Sequence, residues 1–245
     1  FTPQSMNNLN VRGGTEKARY SMSGSYIDEN SIVKNGSHES NAFTLRTNVD
    51  VDITDNFRFG LDLNGEMDNR KRPVLGGFGT EGSPLIPAFY PNGLPASLPG
   101  DAGENPAINL AGEGGYFSDN IYRTFVKPSF NLNIPQVEGL SLDGYVSYRQ
   151  EYTEGKRWRD TWLVYNYDAA NDEFLEKQGG QVSQPDLQEV FNKQKDYLMH
   201  FKIKYSKAFG DHLLETFAAF EQAEGEFRTM TAYRRGFISS SIEEL

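Results

Sequence analysis

The sequence predicts an all-β protein, an antiparallel β-barrel that crosses a membrane with its strands. Three observations predict it. Segments near 42–53, 57–67, 121–134, 140–152 and 197–206 alternate strictly between apolar and polar residues, which gives a strand one greasy and one wet face. The links between them run short, long, short, long, as turns on one side of a membrane and loops on the other require. The segments are also long enough for a tilted crossing of the hydrocarbon layer, which takes roughly 9–11 residues.

The elements follow in order along the chain. Asn7 to Arg12 forms a first short strand, closed by the turn Gly13-Gly14-Thr15-Glu16-Lys17. The second, Ala18 to Asp28, puts Tyr20, Met22, Gly24 and Tyr26 opposite Arg19, Ser21, Ser23 and Ser25. The third sets Phe43, Leu45, Thr47, Val49, Val51 and Ile53 against Thr44, Arg46, Asn48, Asp50 and Asp52. Thr54-Asp55-Asn56 is a tight turn of residues that bond their own backbone. Strand four carries Phe57, Phe59, Leu61 and Leu63. A long insertion, 68–120, holds most of the prolines and many glycines, and loops of that length are usually functional or disordered. Strand five contains Pro128, which demands an edge, a bulge or a break in the ladder. Strand six starts at Leu140; a second insertion covers 154–195; strand seven carries Tyr197, Met199, Phe201, Ile203 and Tyr205. Strand eight, from His212 to about Arg228, is the least regular, since Leu213 to Phe220 also suits a helix.

Composition sets the bounds. Of 245 residues, 37% are hydrophobic and the mean hydropathy is −0.62, which excludes a bundle of membrane helices but not a barrel with a polar lumen. The 17 Phe, 13 Tyr and 2 Trp suit aromatic girdles at the ends of an apolar band. With no cysteine there is neither a disulfide framework nor a thiolate metal site. A net charge of −10 argues against nucleic-acid binding, which wants a basic face. The chain opens Phe1-Thr2-Pro3 and closes in a loop-like Ser-Ser-Ser-Ile-Glu-Glu-Leu, so an internal piece of a longer polypeptide is expected.

The run Asn8-Leu9-Asn10-Val11-Arg12-Gly13-Gly14-Thr15-Glu16-Lys17-Ala18-Arg19-Tyr20 resembles a segment early in the barrel domain of the SusC/RagA family, TonB-dependent outer-membrane transporters of Bacteroidetes. Ser23-Gly24-Ser25-Tyr26, Thr44 to Asp50 and Asp55-Asn56-Phe57 are similar to the strands that follow. The resemblance is densest over 7–70 and continues in arrangement to about 225. It implies a wall of eight strands within a barrel of about 22 strands filled by a plug, with residues 1–245 as barrel only, without plug or TonB box. It further implies active import of oligosaccharides or peptides at the Gram-negative outer membrane. The partners it implies are the TonB complex and a SusD-like surface lipoprotein. Two other readings stay open: a self-contained eight-stranded outer-membrane barrel with a structural or adhesive role, and a soluble all-β carbohydrate-binding module.

No catalytic constellation, cofactor motif or metal set is expected. His38, His200 and His212 are scattered without ligand spacing. Asp50 and Asp52, with Asp62 and Glu66 nearby, suit a polar barrel lining as well as an acid pair. Gly76 to Gly82 lacks the Lys-Ser/Thr of a phosphate loop, and Arg70-Lys71-Arg72 sits at the expected outer rim, where acidic lipid headgroups or ligand lie within reach. The ligand-binding candidates are the loop aromatics: Phe78, Phe89, Tyr90, Tyr116 and Phe117 in the first insertion, and Trp158, Trp162, Tyr165 and Tyr167 in the second. Aromatic faces offer rigid apolar area to sugar rings and peptide side chains alike. Loop-on-loop packing, or contact with a lid protein, is the competing role.

Overall fold

A computed structural model describes residues 3–31, 37–74, 87–97, 105–237 and 243–244. One antiparallel sheet of eight strands runs β1 (Ser5–Gly14), β2 (Ala18–Asn30), β3 (Glu39–Thr54), β4 (Phe57–Pro73), β5 (Gly115–Asn133), β6 (Leu140–Arg159), β9 (Asp186–Phe209) and β10 (His212–Arg235). Each strand pairs with its chain neighbour, except that a hairpin, β7 (Trp162–Asp168) and β8 (Glu173–Gly179), interrupts between β6 and β9 as a separate two-stranded sheet. A short helix, α1 (Pro106–Ala111), lies in the first insertion.

The short links are made by the residue types expected of them. Thr15 Oγ1 accepts from the backbone N–H of Lys17 and Ala18 at 3.3 and 3.1 Å, and Thr54 Oγ1 accepts from Asn56 N–H at 3.3 Å beside a register shift at Asp52/Thr54. The stretch Leu213 to Phe220 is strand throughout, since β10 pairs with β9 along its whole length of 24 residues. A helix there would leave the β9 ladder open.

Above the regular band the strands run further than their alternation predicts. β4 reaches Pro73, β5 starts at Gly115, β6 ends at Arg159 and β9 starts at Asp186. The insertions between strands of the main sheet therefore shrink to 74–114 and 160–185, and the second contains the β7–β8 hairpin. The reason is chemical: outside the apolar band both faces are wet, so residues such as Lys156 and Arg157 fill successive positions and no period-2 signal remains.

The register joins the apolar faces of all eight strands into one surface. Across its middle, Val51, Phe59, Phe130, Gly144, Phe201 and Phe220 stand side by side on β3, β4, β5, β6, β9 and β10. Towards the long loops the band ends in tyrosines, with Tyr122 and Tyr152 at 6.3 Å and Tyr148 and Tyr197 at 5.0 Å between ring centroids. Towards the short turns it ends near Tyr20, Phe57 and Tyr205. This face stays open: Phe43 is 49% exposed and Phe201 39%. Gly144 makes room in the band. A Cβ there would lie 2.6 Å from a ring carbon of Phe201 and 2.8 Å from the His200 carbonyl oxygen, so the bare backbone lets the rings of Phe130 and Phe201 approach to 6.1 Å across it.

Pro128 is accommodated by a break. On the β4 side its register is continuous with Leu61. On the β6 side the pairing stops at Val126–Tyr148 and resumes in the same register at Ser129–Tyr145. The missing N–H therefore costs a gap in one ladder and no slip.

The opposite face is polar and knitted by charge. Asp52 pairs with Arg58 at 2.5 Å, Asp62 with Lys127 at 2.8 Å, and Arg123 bridges Glu66 at 2.5 Å and Glu151 at 2.8 Å. Asp52, Asp62 and Glu66 thus each meet a cation, Glu66 sharing Arg123 with Glu151, and Asp50 lies beside Gly60. His200 stacks on Tyr145 at 5.2 Å and places Nδ1 3.3 Å from Glu221. Such partly exposed pairs contribute little, so the backbone ladder holds the sheet.

Candidate functional site

The long-loop end of the sheet is where the described side chains are most tightly packed. Asn105 anchors it. Its side-chain oxygen caps α1 by accepting from Ala107 and Ile108 N–H at 2.9 and 3.3 Å, while its Nδ2 donates to the carbonyls of Ala88 and Ala96 at 2.7 and 3.0 Å. Asn-Pro at the entry to a helix is a readable signal, and the sequence reading passed over it.

Segment 87–97 then docks on the β7–β8 hairpin. Ala96 bridges Tyr165 in parallel fashion, with Ser97 N–H to Tyr165 O and Tyr165 N–H to Pro95 O both at 2.9 Å. Tyr90 meets Phe174 edge-on at 4.9 Å and its hydroxyl accepts from Tyr167 N–H at 3.2 Å; Tyr167 also contacts Phe174 at 5.2 Å. The two insertions predicted to bind ligand separately therefore form one structure, as the loop-on-loop role requires.

On the same side, Trp158, Leu187 and Phe237 make a small buried core with Tyr116 against it, Trp158 and Phe237 meeting edge-on at 4.9 Å. Tyr116 donates its hydroxyl to Glu243, and Lys156 Nζ donates to the Glu243 carbonyl at 2.6 Å. The register places Tyr116, Trp158 and Leu187 side by side on the apolar-band face. Burial, then the Glu243 carboxylate, pushes the Tyr116 phenol well above its ordinary range.

The nine aromatic candidates thus separate. Trp158 and Trp162 are buried, Trp162 against the bare backbone of Gly114. Tyr90, Tyr116 and Tyr165 pack as described. Phe89 and Tyr167 are about half exposed, at 48% and 46%. Phe78 lies outside the described residues. Tyr116, Phe117 and Trp158 stand on strands β5 and β6 rather than in loops, and neighbouring Tyr116 and Phe117 face opposite sides of the wall.

Phe117 belongs to the polar face, in a row that runs Arg72, Phe117, Arg157, Gln188 and Tyr233 across β4, β5, β6, β9 and β10. One step towards the long loops lies a closed network. Arg159 holds Asp186 with two bonds, 2.8 and 2.5 Å, and the Tyr233 hydroxyl donates to the same carboxylate at 2.6 Å. Burial pushes the Asp186 carboxyl up, but the Arg159 and Tyr233 bonds outweigh it and hold the group below its usual 3.8. Neither Asp186 nor Arg157 was foreseen, because charges in a stretch without periodicity give no hint of their partners.

A folded pKa below the unfolded one adds stability that is complete above the unfolded value and is lost as pH falls through the folded value. The advantage of the native protein over Asp186→Asn is therefore expected to be full at neutral pH and to shrink below about pH 3.8. Melting temperatures of the two proteins between pH 7 and pH 2.5 check this; a gap independent of pH would contradict it.

No protein-family model matches the chain. A curated relative, TonB-dependent receptor P3 of Formosa agariphila, is 39% identical over 67 residues, 26% of this chain and 6% of that protein. Among solved structures, the RagAB peptide importer in its closed-closed state superimposes with a TM-score of 0.73 at 18% identity, covering 98% of this chain and 26% of the RagAB chain. The RagAB peptide transporter gives 0.72 at 17%, and the open-open importer 0.73 at 17%, with the same coverage. The chain thus spans about a quarter of the length of these structural neighbours. The chain is thus similar over 67 residues to a TonB-dependent receptor, and over nearly its whole length it shares the fold of part of the RagAB transporter, as the SusC/RagA resemblance implies.

Proposed function

We propose that residues 1–245 form a stretch of barrel wall in a TonB-dependent transporter of the Gram-negative outer membrane. The transporter imports oligosaccharides or peptides together with a SusD-like surface lipoprotein, and TonB drives it through segments outside this chain. The observation that carries the reading is the continuous apolar face, bounded by aromatic residues, on a sheet whose other face is charged. Lipid is the solvent that such a face fits.

The two other readings lose support. A soluble sandwich would cover the apolar face with a second layer, whereas the other described sheet is the β7–β8 hairpin alone. A closed eight-stranded barrel would join β1 to β10, and among the described residues both are unpaired edges.

In this reading the fused insertions form the outer mouth, and their exposed Phe89 and Tyr167 meet ligand or lid. The test removes 74–114 from the complete transporter, which spares every strand. Uptake of the native substrate by whole cells is expected to fall at least about tenfold, as for loss of a single anchoring contact cluster, while the barrel still reaches the outer membrane. Uptake at the wild-type rate would count against the mouth assignment.

A further inference from the structure

From the polar face near the mouth we infer a subsite for a carboxylate group, built on Arg72, Phe117 and Arg157. The inference rests on the transporter reading, in which this face lines the lumen, and it narrows the cargo to acidic ligands: peptides with acidic side chains or a free C-terminus, or oligosaccharides bearing uronic acids.

Three observations carry it. The neighbouring arginines are paired, Arg70 with Asp68 at 2.6 Å and Arg159 with Asp186 at 2.5 Å. Arg72 and Arg157 stand in the row between them, and among the described residues neither closes an ion pair, the Arg157 charge acting on Asp186 only at longer range. Second, the Arg157 Nε is buried and makes no hydrogen bond. A guanidinium N–H withheld from water is costly unless an acceptor arrives, and the planar fork of arginine fits a carboxylate. Third, the Arg72 guanidinium lies 4.3 Å from the centre of the Phe117 ring, which fixes it as a flat platform, and Phe117 is directly opposite Arg157 in the register. The register thus sets Arg72 and Arg157 on the strands to either side of Phe117.

Gln188 continues the row and supplies a neutral hydrogen-bonding group for the rest of the ligand, while the Tyr233 hydroxyl beyond it is committed to Asp186. Lys193 stands on the apolar-band face, opposite Tyr152 and Arg228, and serves as the control cation.

The test measures equilibrium binding by calorimetry to the complete transporter in detergent. The ligands are an acidic peptide and its amidated neutral counterpart, and a uronic-acid oligosaccharide and its neutral counterpart. The acidic member of at least one pair is expected to bind more tightly, and which pair responds distinguishes peptide from sugar. Arg72→Gln and Arg157→Gln are each expected to weaken that binding about tenfold and to leave the neutral counterpart unchanged. Arg157→Lys keeps the charge without the fork and should lose less, and Lys193→Gln should lose nothing. Equal losses for acidic and neutral ligands, or none for either, overturn the subsite while neutral binding leaves the transporter reading intact. Arginine variants that shed an acidic surface protein with ligand affinities unchanged also overturn it, by making the pair a partner contact. If no ligand binds and whole cells import none, the transporter reading fails and takes the subsite with it.

Discussion

Arginine in place of Phe201 is expected to cost the assembled wall about 2–4 kcal/mol, the penalty for a cation near the bilayer midplane on a barrel's lipid face. Phe201 sits midway between Tyr197 and Tyr205 on β9, flanked by Gly144 and Phe220. It loses its ring contact with Phe130 as well. The neighbouring position supplies the control: His200 faces the polar side, stacked on Tyr145 with Glu221 at 3.3 Å. An arginine there keeps a carboxylate partner and should change stability by less than about 1 kcal/mol, as exposed pairs do. Folding of the complete transporter into lipid vesicles, titrated with urea, reads both. Equal costs at 200 and 201 would mean that the two faces meet the same solvent, and the membrane reading would fall.

The second large effect is expected at Gly115, where β5 begins. Its φ is +105°, and a Cβ would sit 2.1 Å from the Trp158 carbonyl oxygen. Gly115→Val therefore combines a backbone conformation that costs an L-residue roughly 1–2 kcal/mol with overpacking worth about 1–3 kcal/mol. The strands must part where Trp158 packs on Leu187 and Phe237. Loss of about 3 kcal/mol or more is expected in the same urea titration, accompanied by protease cleavage within 105–118. A valine variant as stable as the native protein would show that this end of the ladder is free to relax.

Both effects follow from how the chain divides its information. The alternation from Phe43 to Ile53 and from Tyr197 to Tyr205 was readable because a period of two is the only pattern that keeps one face in lipid and the other in water. The turn residues Thr15 and Thr54 were readable because their bonds are local. Pro128 announced a break, and the register located it on the β6 side. The candidate site was harder to read. Its aromatics were visible by type, yet type does not tell Trp158, buried in a core, from Tyr167, half exposed on a hairpin. Asn105 was overlooked although its capping signal is local, whereas its bonds to Ala88 and Ala96 are not.

The sequence by itself determined the strand faces, the tight turns and the apolar band, because each depends on residues two to four positions apart. Only the tertiary structure decided that the two insertions dock on each other, that Tyr116 and Phe117 serve opposite faces, and that Arg72 and Arg157 share a row while Arg70 and Arg159 are already paired. Those facts depend on the registers that join β4 to β5, β5 to β6 and β6 to β9. A register brings together residues tens of positions apart, and where both faces of a strand are wet no pattern in the chain records which residues will meet.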